Sequence, residues 1–339
     1  MNILKSSNNQ YYQKIFFPNY KSNWVLGNEY EELKKISKNI NLTQTFFSYR
    51  QYCYIPDKYY AINRNLFHLL GNRVIFDYFH GNPSLSSDFF HIYKTLKKKI
   101  NNFYKIRVSN TGMLNFFLND GLDKNLFKLI PIGIDIYSFP MRKIKDKDLM
   151  RSKYMIPKES FVIGSFQKDG NGWGEGNTPK LIKGPDIFIN TIKFLKSKIP
   201  NLFVLLTGPS RGYVISNLER LGVNYKHIYL NDYKKIYELY HILDYYIIAS
   251  REEGGPKALL ESMATGVPIV STNVGQAIDL LKNNINGFKS TAFDPEEIAN
   301  ILLNNTNPNE EIIKNARITA EQNDYNEQLD SWKSIFPHL

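Results

Sequence analysis

From residue 161 onward, short apolar runs alternate with amphipathic stretches in strict order, and this alternation most limits how the chain can fold. "FVIGSF" precedes "GPDIFINTIKFLKSKI", "NLFVLLTG" precedes "YVISNLERLG", and "KHIYLN" precedes "YKKIYELYHIL". "DYYIIAS" then leads into "PKALLESMATG", "PIVSTN" into "GQAIDLLKNN", and "GFKST" into "DPEEIANILLNN". Strands that are apolar throughout and separated by amphipathic helices describe a parallel sheet covered on both faces. A doubly wound α/β domain is therefore expected over residues 141–306. Before it, "TQTFFSY", "RVIFDYF", "YKIRVSN" and "LFKLIPIGI" read as strands, with helical patterns near 28–39, 86–103 and 112–120. These give a second, less regular Rossmann-like domain over residues 1–140, joined by the charged linker "MRKIKDKDLMRSKY". Residues 307–339 read as helical with no strand after them, a segment expected to pack back across the domains.

At 339 residues the chain is long enough for two domains. Its formal charge of +11 favours anionic partners, whether phosphate, anionic lipid or nucleic acid. One cysteine, Cys53, excludes an internal disulfide and any cysteine-based zinc cluster. The amino end "MNILKSSNNQYYQ" lacks the apolar core of a signal peptide, and no run approaches the roughly 18 apolar residues of a membrane span. The cytoplasm is the expected location.

The stretch "SREEGGPKALLESMATGVPIVST" places Glu253 before a Gly-Gly-Pro elbow and Glu261 inside the helix that follows. Pro256 suits the first helical position, and Gly266 with Pro268 suits the stop. The helix is expected over about 256–265. Leu259, Leu260 and Met263 fall on one face, which puts Lys257 and Glu261 on the other, in solvent. Because a strand feeds this helix, its start lies at the carboxyl edge of the sheet, where N–H groups and the dipole favour an anion and Gly254 and Gly255 let it approach. A phosphorylated ligand is the simplest occupant; the bland alternative is an ordinary tight turn with solvated glutamates.

A second glycine-rich stretch, "GSFQKDGNGWGEGNTPKLIKGPD", follows the first strand of the same domain and carries Lys168, Lys180 and Lys183. It has neither the Walker ending nor the dinucleotide-binding spacing. It reads as a loop wrapping a multiply charged ligand or, alternatively, as a mobile segment.

Together these residues resemble the donor-binding half of family 4 retaining glycosyltransferases (glycosyl transferases group 1), which have the GT-B fold. The resemblance covers about residues 125–305. It rests on Glu253, Gly254, Glu261, Ser262, Met263, Ala264, Gly266, Val267 and Pro268, continuing to "GQAID" and "NGF", with Lys183 and Gly184, Gly208 and Asp244 upstream. It implies two Rossmann-like domains facing a cleft and transfer of a sugar from a nucleotide-diphosphate donor to a saccharide or lipid-linked acceptor. It further implies retention of configuration and no metal ion or other cofactor.

The resemblance also implies residue roles. His80, Lys183 and Glu253 would be catalytic, while Lys168, Lys183, Gly254, Gly255, Pro256 and Lys257 would hold the donor diphosphate. Glu261 would bind the ribose and Glu253 the donor sugar, so the two glutamates would orient substrate and not act as a glycosidase pair. Backbone groups near His227 to Asp232 would meet the base. The amino half resembles the family more faintly, through "FDYFHG", which carries His80, and through "RVSN" followed by "LIPIGID". In place of the family's first glycine-rich loop stands only "WVLGNEY" with Gly27. Where the family has an arginine this chain aligns Ser165, which leaves Lys168 as the candidate substitute.

The segment 89–105 puts Phe89, Ile92, Tyr93, Leu96, Ile100 and Phe103 on one stripe and Lys94, Lys97 and Lys98 opposite. It reads as a helix covering the sheet, with a seat on an anionic membrane surface as the alternative. Two rival readings are a nucleotide-sugar epimerase of the same fold and a basic nucleic-acid-binding protein. No recognised nucleic-acid motif supports the second.

Overall fold

The computed structural model describes residues 13–20 and 25–336, and for Val25 and Leu26 the backbone alone. Residues 1–12, on which most of the signal-peptide reading rests, lie outside the described residues, as does Trp24 of "WVLGNEY". The chain divides into two compact units, Met1–Gly133 with Asn323–Leu339, and Ile134–Gln322.

Unit 1 holds a six-stranded parallel sheet in the order β2-β1-β3-β4-β5-β6. Its strands are β1 (Lys14–Phe16), β2 (Thr43–Thr45), β3 (Tyr52–Ile55), β4 (Arg73–Asp77), β5 (Lys105–Val108) and β6 (Phe127–Leu129). Its helices are α1 (Val25–Asn39), α2 (Lys58–Asn63), α3 (Ser87–Lys98) and α4 (Thr111–Asn119). Sequence reading misses β1 and β3. The β3 residues "YCYI" are buried on both faces, so alternation gives no sign of them. The apolar stripe of α3 is core: Phe89, Ile92, Tyr93 and Leu96 are buried, while Lys94, Lys97 and Lys98 are exposed. That face is not available to a membrane.

The tail returns to unit 1 because it carries the aromatic residues that close this core. Tyr325, Trp332, Ile335 and Phe336 are buried with Tyr52 and Tyr54, and the Tyr52 and Phe336 rings stand 4.8 Å apart. Beneath them Arg107, fully buried, donates to the Ile130 carbonyl at 3.0 Å and to Glu29 at 3.2 Å, and Tyr325 donates its hydroxyl to the same Glu29.

Unit 2 holds a second six-stranded parallel sheet, ordered β12-β11-β10-β7-β8-β9. The strands are β7 (Phe161–Ser165), β8 (Leu202–Thr207), β9 (Asn224–Ile228), β10 (Tyr245–Ile248), β11 (Ile269–Thr272) and β12 (Phe288–Ser290). Following these strands in turn run α6 (Pro185–Lys196), α7 (Gly212–Leu221), α8 (Ile236–Ile242), α9 (Lys257–Ala264), α10 (Ala277–Leu280) and α11 (Pro295–Asn304). Every strand–helix pair expected from the alternation is present. The charged "linker" is instead largely the helix α5 (Ile144–Lys153). Arg151 holds it to the sheet, donating to the Ile242 carbonyl at 3.1 Å, the Lys158 carbonyl at 2.6 Å and Asp244 at 2.7 Å. Helix α12 (Glu310–Glu321) also belongs to unit 2, and α13 (Leu329–Lys333) to unit 1. Among the described residues no helix is long and apolar enough to cross a membrane.

Candidate functional site

At the carboxyl edge of the unit 2 sheet, the ends of β7 and β10 present two loops side by side. The second begins with Ser250, whose hydroxyl donates to Glu253 Oε1 at 2.8 Å. The other oxygen, Oε2, receives Lys183 Nζ at 2.6 Å. Lys183 reaches Glu253 because the turn Leu181–Lys183 lies against the end of β10. The amides of Arg251 and Glu252 donate to the Ile182 carbonyl at 2.9 and 3.2 Å. Gly184 closes that turn with φ +63°, and a Cβ on it would come 1.9 Å from the Ala249 carbonyl oxygen. Only glycine fits there. Arg251 forks onto both oxygens of Asp186 at 2.8 and 2.6 Å, which locks the start of α6 beside the elbow.

The site is strongly basic. Lys180 has its ammonium form disfavoured, first by burial and then by the neighbouring charges of Lys183 and Lys168, while Glu253 opposes the shift. One carboxylate thus faces three lysines, and an anion placed among them would relieve their repulsion. Helix α9 starts next to them. Pro256 is its N-cap, one residue earlier than expected, and contributes no side-chain cap to the helix start. Gly254 and Gly255 are buried in the elbow, with Lys257 half-buried at the first helical position. The structure therefore brings Lys168, Lys183, Glu253, Gly254, Gly255, Pro256 and Lys257 to one sheet edge.

Glu261 does not face solvent as the helical stripe implied. It is 3 % exposed, because α9 is covered on its second face as well. Tyr233 donates its hydroxyl to Glu261 Oε1 at 2.5 Å and Tyr240 donates to Oε2 at 2.8 Å. Burial pushes the carboxyl's pKa up, and the two phenols hold it down against that push. Neither tyrosine was singled out from sequence, since their spacing from Glu261 in the chain carries no signal.

The glycine-rich loop is tied down. Asn171 N–H donates to the Thr178 carbonyl at 2.8 Å, and Gly212 and Tyr213 N–H donate to Glu175 and Gly176 at 2.7 and 3.0 Å. A Cβ on Gly170 or Gly176 would meet the Ser210 backbone at 2.4 or 2.3 Å. Those glycines serve close packing. Lys168 lies 3.8 Å from the centroid of the Trp173 ring, which is 70 % exposed. An arginine does stand at Ser165, but it is Arg211 from the turn after β8. Its guanidinium donates to the Ser165 carbonyl at 2.6 Å and pairs with the buried Asp169 at 3.1 Å.

His80 belongs to unit 1, just after β4. Lys58 Nζ donates to its carbonyl oxygen and stands 3.1 Å from its Nδ1.

The family model described as Glycosyl transferases group 1 matches residues 179–319. Among curated relatives, an α-1,3-galactosyltransferase of Escherichia coli, named for a GlcNAc-diphosphoundecaprenol acceptor, is 25 % identical over 54 % of this chain and 46 % of its own. The α-1,3-N-acetylgalactosaminyltransferase of Campylobacter jejuni, named for a diphospho-undecaprenol acceptor, is 27 % identical over 69 % of this chain and 60 % of its own. The matched segment spans less than two thirds of each of these relatives. Anabaena HepE, solved with UDP, shares the fold at TM-score 0.74 and 16 % identity, covering 96 % of this chain and all of that one. Staphylococcus aureus TarM shares it at TM-score 0.65 and 15 % identity, over 91 % of this chain and 58 % of its own. The fold is thus GT-B, an α/β architecture of two Rossmann-like units.

Proposed function

We propose that this chain, whose residues 179–319 match the glycosyl transferases group 1 family model, moves a sugar from a nucleotide-diphosphate donor to a saccharide or lipid-linked acceptor. The transfer would retain the anomeric configuration and need no metal ion. The observation that carries this reading is the Lys183–Glu253 pair, 2.6 Å long, with Lys168 and Lys180 beside it at a helix start that has no side-chain cap.

The difficulty in such a transfer is the leaving diphosphate, which gains negative charge as its bond to the anomeric carbon breaks. Fixed positive groups stabilise that charge without reorganising, and this is the larger part of catalysis at such sites. Lys183, Lys168 and the N–H groups at the start of α9 are suited to it; lysine supplies a point charge where arginine would supply a fork. With the lysines neutralising the diphosphate, no cation is required there. Glu253, held by Ser250, would orient donor-sugar hydroxyls, and Glu261 would accept from the ribose. His80 would serve the acceptor side.

Lipid-linked acceptors are favoured by the two undecaprenol-directed relatives. Peripheral binding to an anionic membrane belongs to the same reading. It is supported by Phe46, Phe47 and Leu69, exposed by 94, 85 and 70 %, alongside the exposed Arg50 and Arg64. A cytoplasmic location follows from the supply of nucleotide sugars there.

The test is release of nucleoside diphosphate from a panel of UDP-, GDP- and ADP-sugars, with and without saccharide and polyprenyl-diphosphate-linked acceptors. Acceptor-dependent release that Lys183→Gln lowers by about 10²-fold or more supports the proposal. Binding and turnover of none of the sugars would sink it, and acceptor-independent conversion to an epimer would favour the epimerase.

A further inference from the structure

The ammonium of Lys58 lies against aromatic rings and a carbonyl of unit 1. The residue is 6 % exposed, at the first position of α2, where Asp57 caps the helix by accepting from the Tyr59 and Tyr60 amides. Its Nζ lies 4.6 Å from the centroid of the Tyr78 ring and 4.8 Å from that of Phe89, both within cation–π range. The turn after β4 is shaped around it. Gly81 has φ +126°, and a Cβ there would come 2.6 Å from Nζ. Tyr78 donates its hydroxyl to the Gly81 carbonyl at 3.1 Å, which fixes the same turn. His80 also meets the ammonium, through its carbonyl oxygen and, at 3.1 Å, through Nδ1.

An ammonium has three donors and no acceptor, whereas a neutral imidazole has one nitrogen of each kind. Nδ1 must therefore accept from Lys58, and the ring proton must reside on Nε2. An imidazolium would set an N–H against the ammonium and place two like charges about 3 Å apart, an arrangement that disfavours the charged ring.

We propose that Lys58 is a positioning residue: it holds His80 as a neutral imidazole protonated on Nε2, so that His80 meets the substrate as a hydrogen-bond donor and not as a base. The role given to His80 rests on the transferase reading above. A donor at Nε2 suits an oxygen that carries or gains negative charge, or a sugar hydroxyl acting as acceptor. It cannot take a proton from the attacking hydroxyl without becoming the disfavoured imidazolium, so the acceptor proton must pass to an oxygen of the departing diphosphate.

The experiment is 15N NMR of the full chain labelled at histidine, with the His80 signals assigned by their loss in His80→Gln. The proton is expected on Nε2 in the native chain. Lys58→Met keeps the apolar stem and removes the charge, and it should shift His80 toward the Nδ1–H form. In that variant kcat should fall roughly 10- to 100-fold, with the donor KM little changed. Lys58→Arg, which keeps donors, should retain the Nε2–H signature and guards against misfolding of the methionine variant. A native His80 protonated on Nδ1 overturns the proposal, as does a spectrum unaltered by Lys58→Met. A native Nε2–H signature that Lys58→Met does shift, with kcat undiminished, removes the positioning role alone. Absence of turnover by the native chain removes the transferase reading, and with it the role of His80, whatever the spectrum.

Discussion

Tyr240 donates its hydroxyl to Glu261 Oε2 at 2.8 Å, so a carboxylate proposed to bind a ribose is already hydrogen-bonded inside the core. The second oxygen is taken by Tyr233, whose residue is 47 % exposed although its hydroxyl reaches the buried carboxylate. Tyr240 is fixed by burial; Tyr233 can yield its place to a ligand hydroxyl. Tyr233→Phe is expected to tighten nucleoside-diphosphate binding by roughly tenfold, since the competing donor is gone. Glu261→Ala should weaken it by a similar factor. Titration calorimetry with UDP, GDP and ADP decides: intact affinity in Glu261→Ala would show that this carboxylate does not hold the ribose.

Lys183→Gln should lower turnover by about 10²- to 10³-fold, the usual cost of removing one preorganised charge at a leaving group. Lys168→Met should cost less, because Lys168 also lies over the Trp173 ring. Single-turnover release of the diphosphate measures both, and equal losses in the two variants would contradict the central place given to Lys183.

Asp77 makes the stability of unit 1 depend on pH. Burial pushes its carboxyl up to about 7 from an ordinary value near 3.8, against the opposing pull of Arg107 and the Tyr54 hydroxyl. Between those values the folded state holds a proton that the unfolded chain has lost, so this group's contribution to stability falls as pH rises from about 4 to about 7 and is constant above. The slope is at most ~1.4 kcal/mol per pH unit. Asp77→Asn should abolish it. Melting temperatures of the two proteins compared at pH 4.5, 6 and 7.5 would show the native chain losing ground to the variant as pH rises; a constant difference refutes this.

Arg151→Met should destabilise unit 2 by roughly 3–5 kcal/mol, the usual cost of stranding one member of a buried ion pair. Asp244 would keep Lys147 and the Val162 amide, the latter donating at 2.6 Å, so a loss near the lower figure is expected. Urea midpoints at pH 7 test it, and a change below about 1 kcal/mol would mean that the pair contributes little.

Gly184→Ala should impair the site from a distance. The left-handed backbone and the 1.9 Å approach to Ala249 leave no room for a methyl, so the turn carrying Lys183 must shift. A drop in donor affinity with melting lowered by a few degrees is the expected pattern, read by thermal shift with and without UDP.

Much of unit 2 was legible because its signals are local. Apolar runs of strand length, Pro256 at a helix start and Gly266 at its stop act through their own backbones, and each reappears in the structure at its expected place or one residue away. The elbow and the lysine-bearing loop could be set at one sheet edge because a parallel sheet puts every strand-to-helix turn there. Unit 1 was less legible. β3 is apolar on both faces and β1 is three residues long, so neither offers a period to read.

What the sequence by itself determined is the order of elements in unit 2, its parallel sheet and the residue types gathered at the carboxyl edge, all set by short-range sterics and hydrophobic periodicity. Only the tertiary structure decided the partners. It paired Lys183 with Glu253 across 70 residues, buried Glu261 under Tyr233 and Tyr240, enclosed Lys58 beside His80, and returned the aromatic tail to unit 1. The stripe that put Glu261 in solvent describes a helix with one covered face. Helix α9 has a sheet on one side and α12 with the tyrosines on the other, and no pattern within its eight residues encodes a second neighbour.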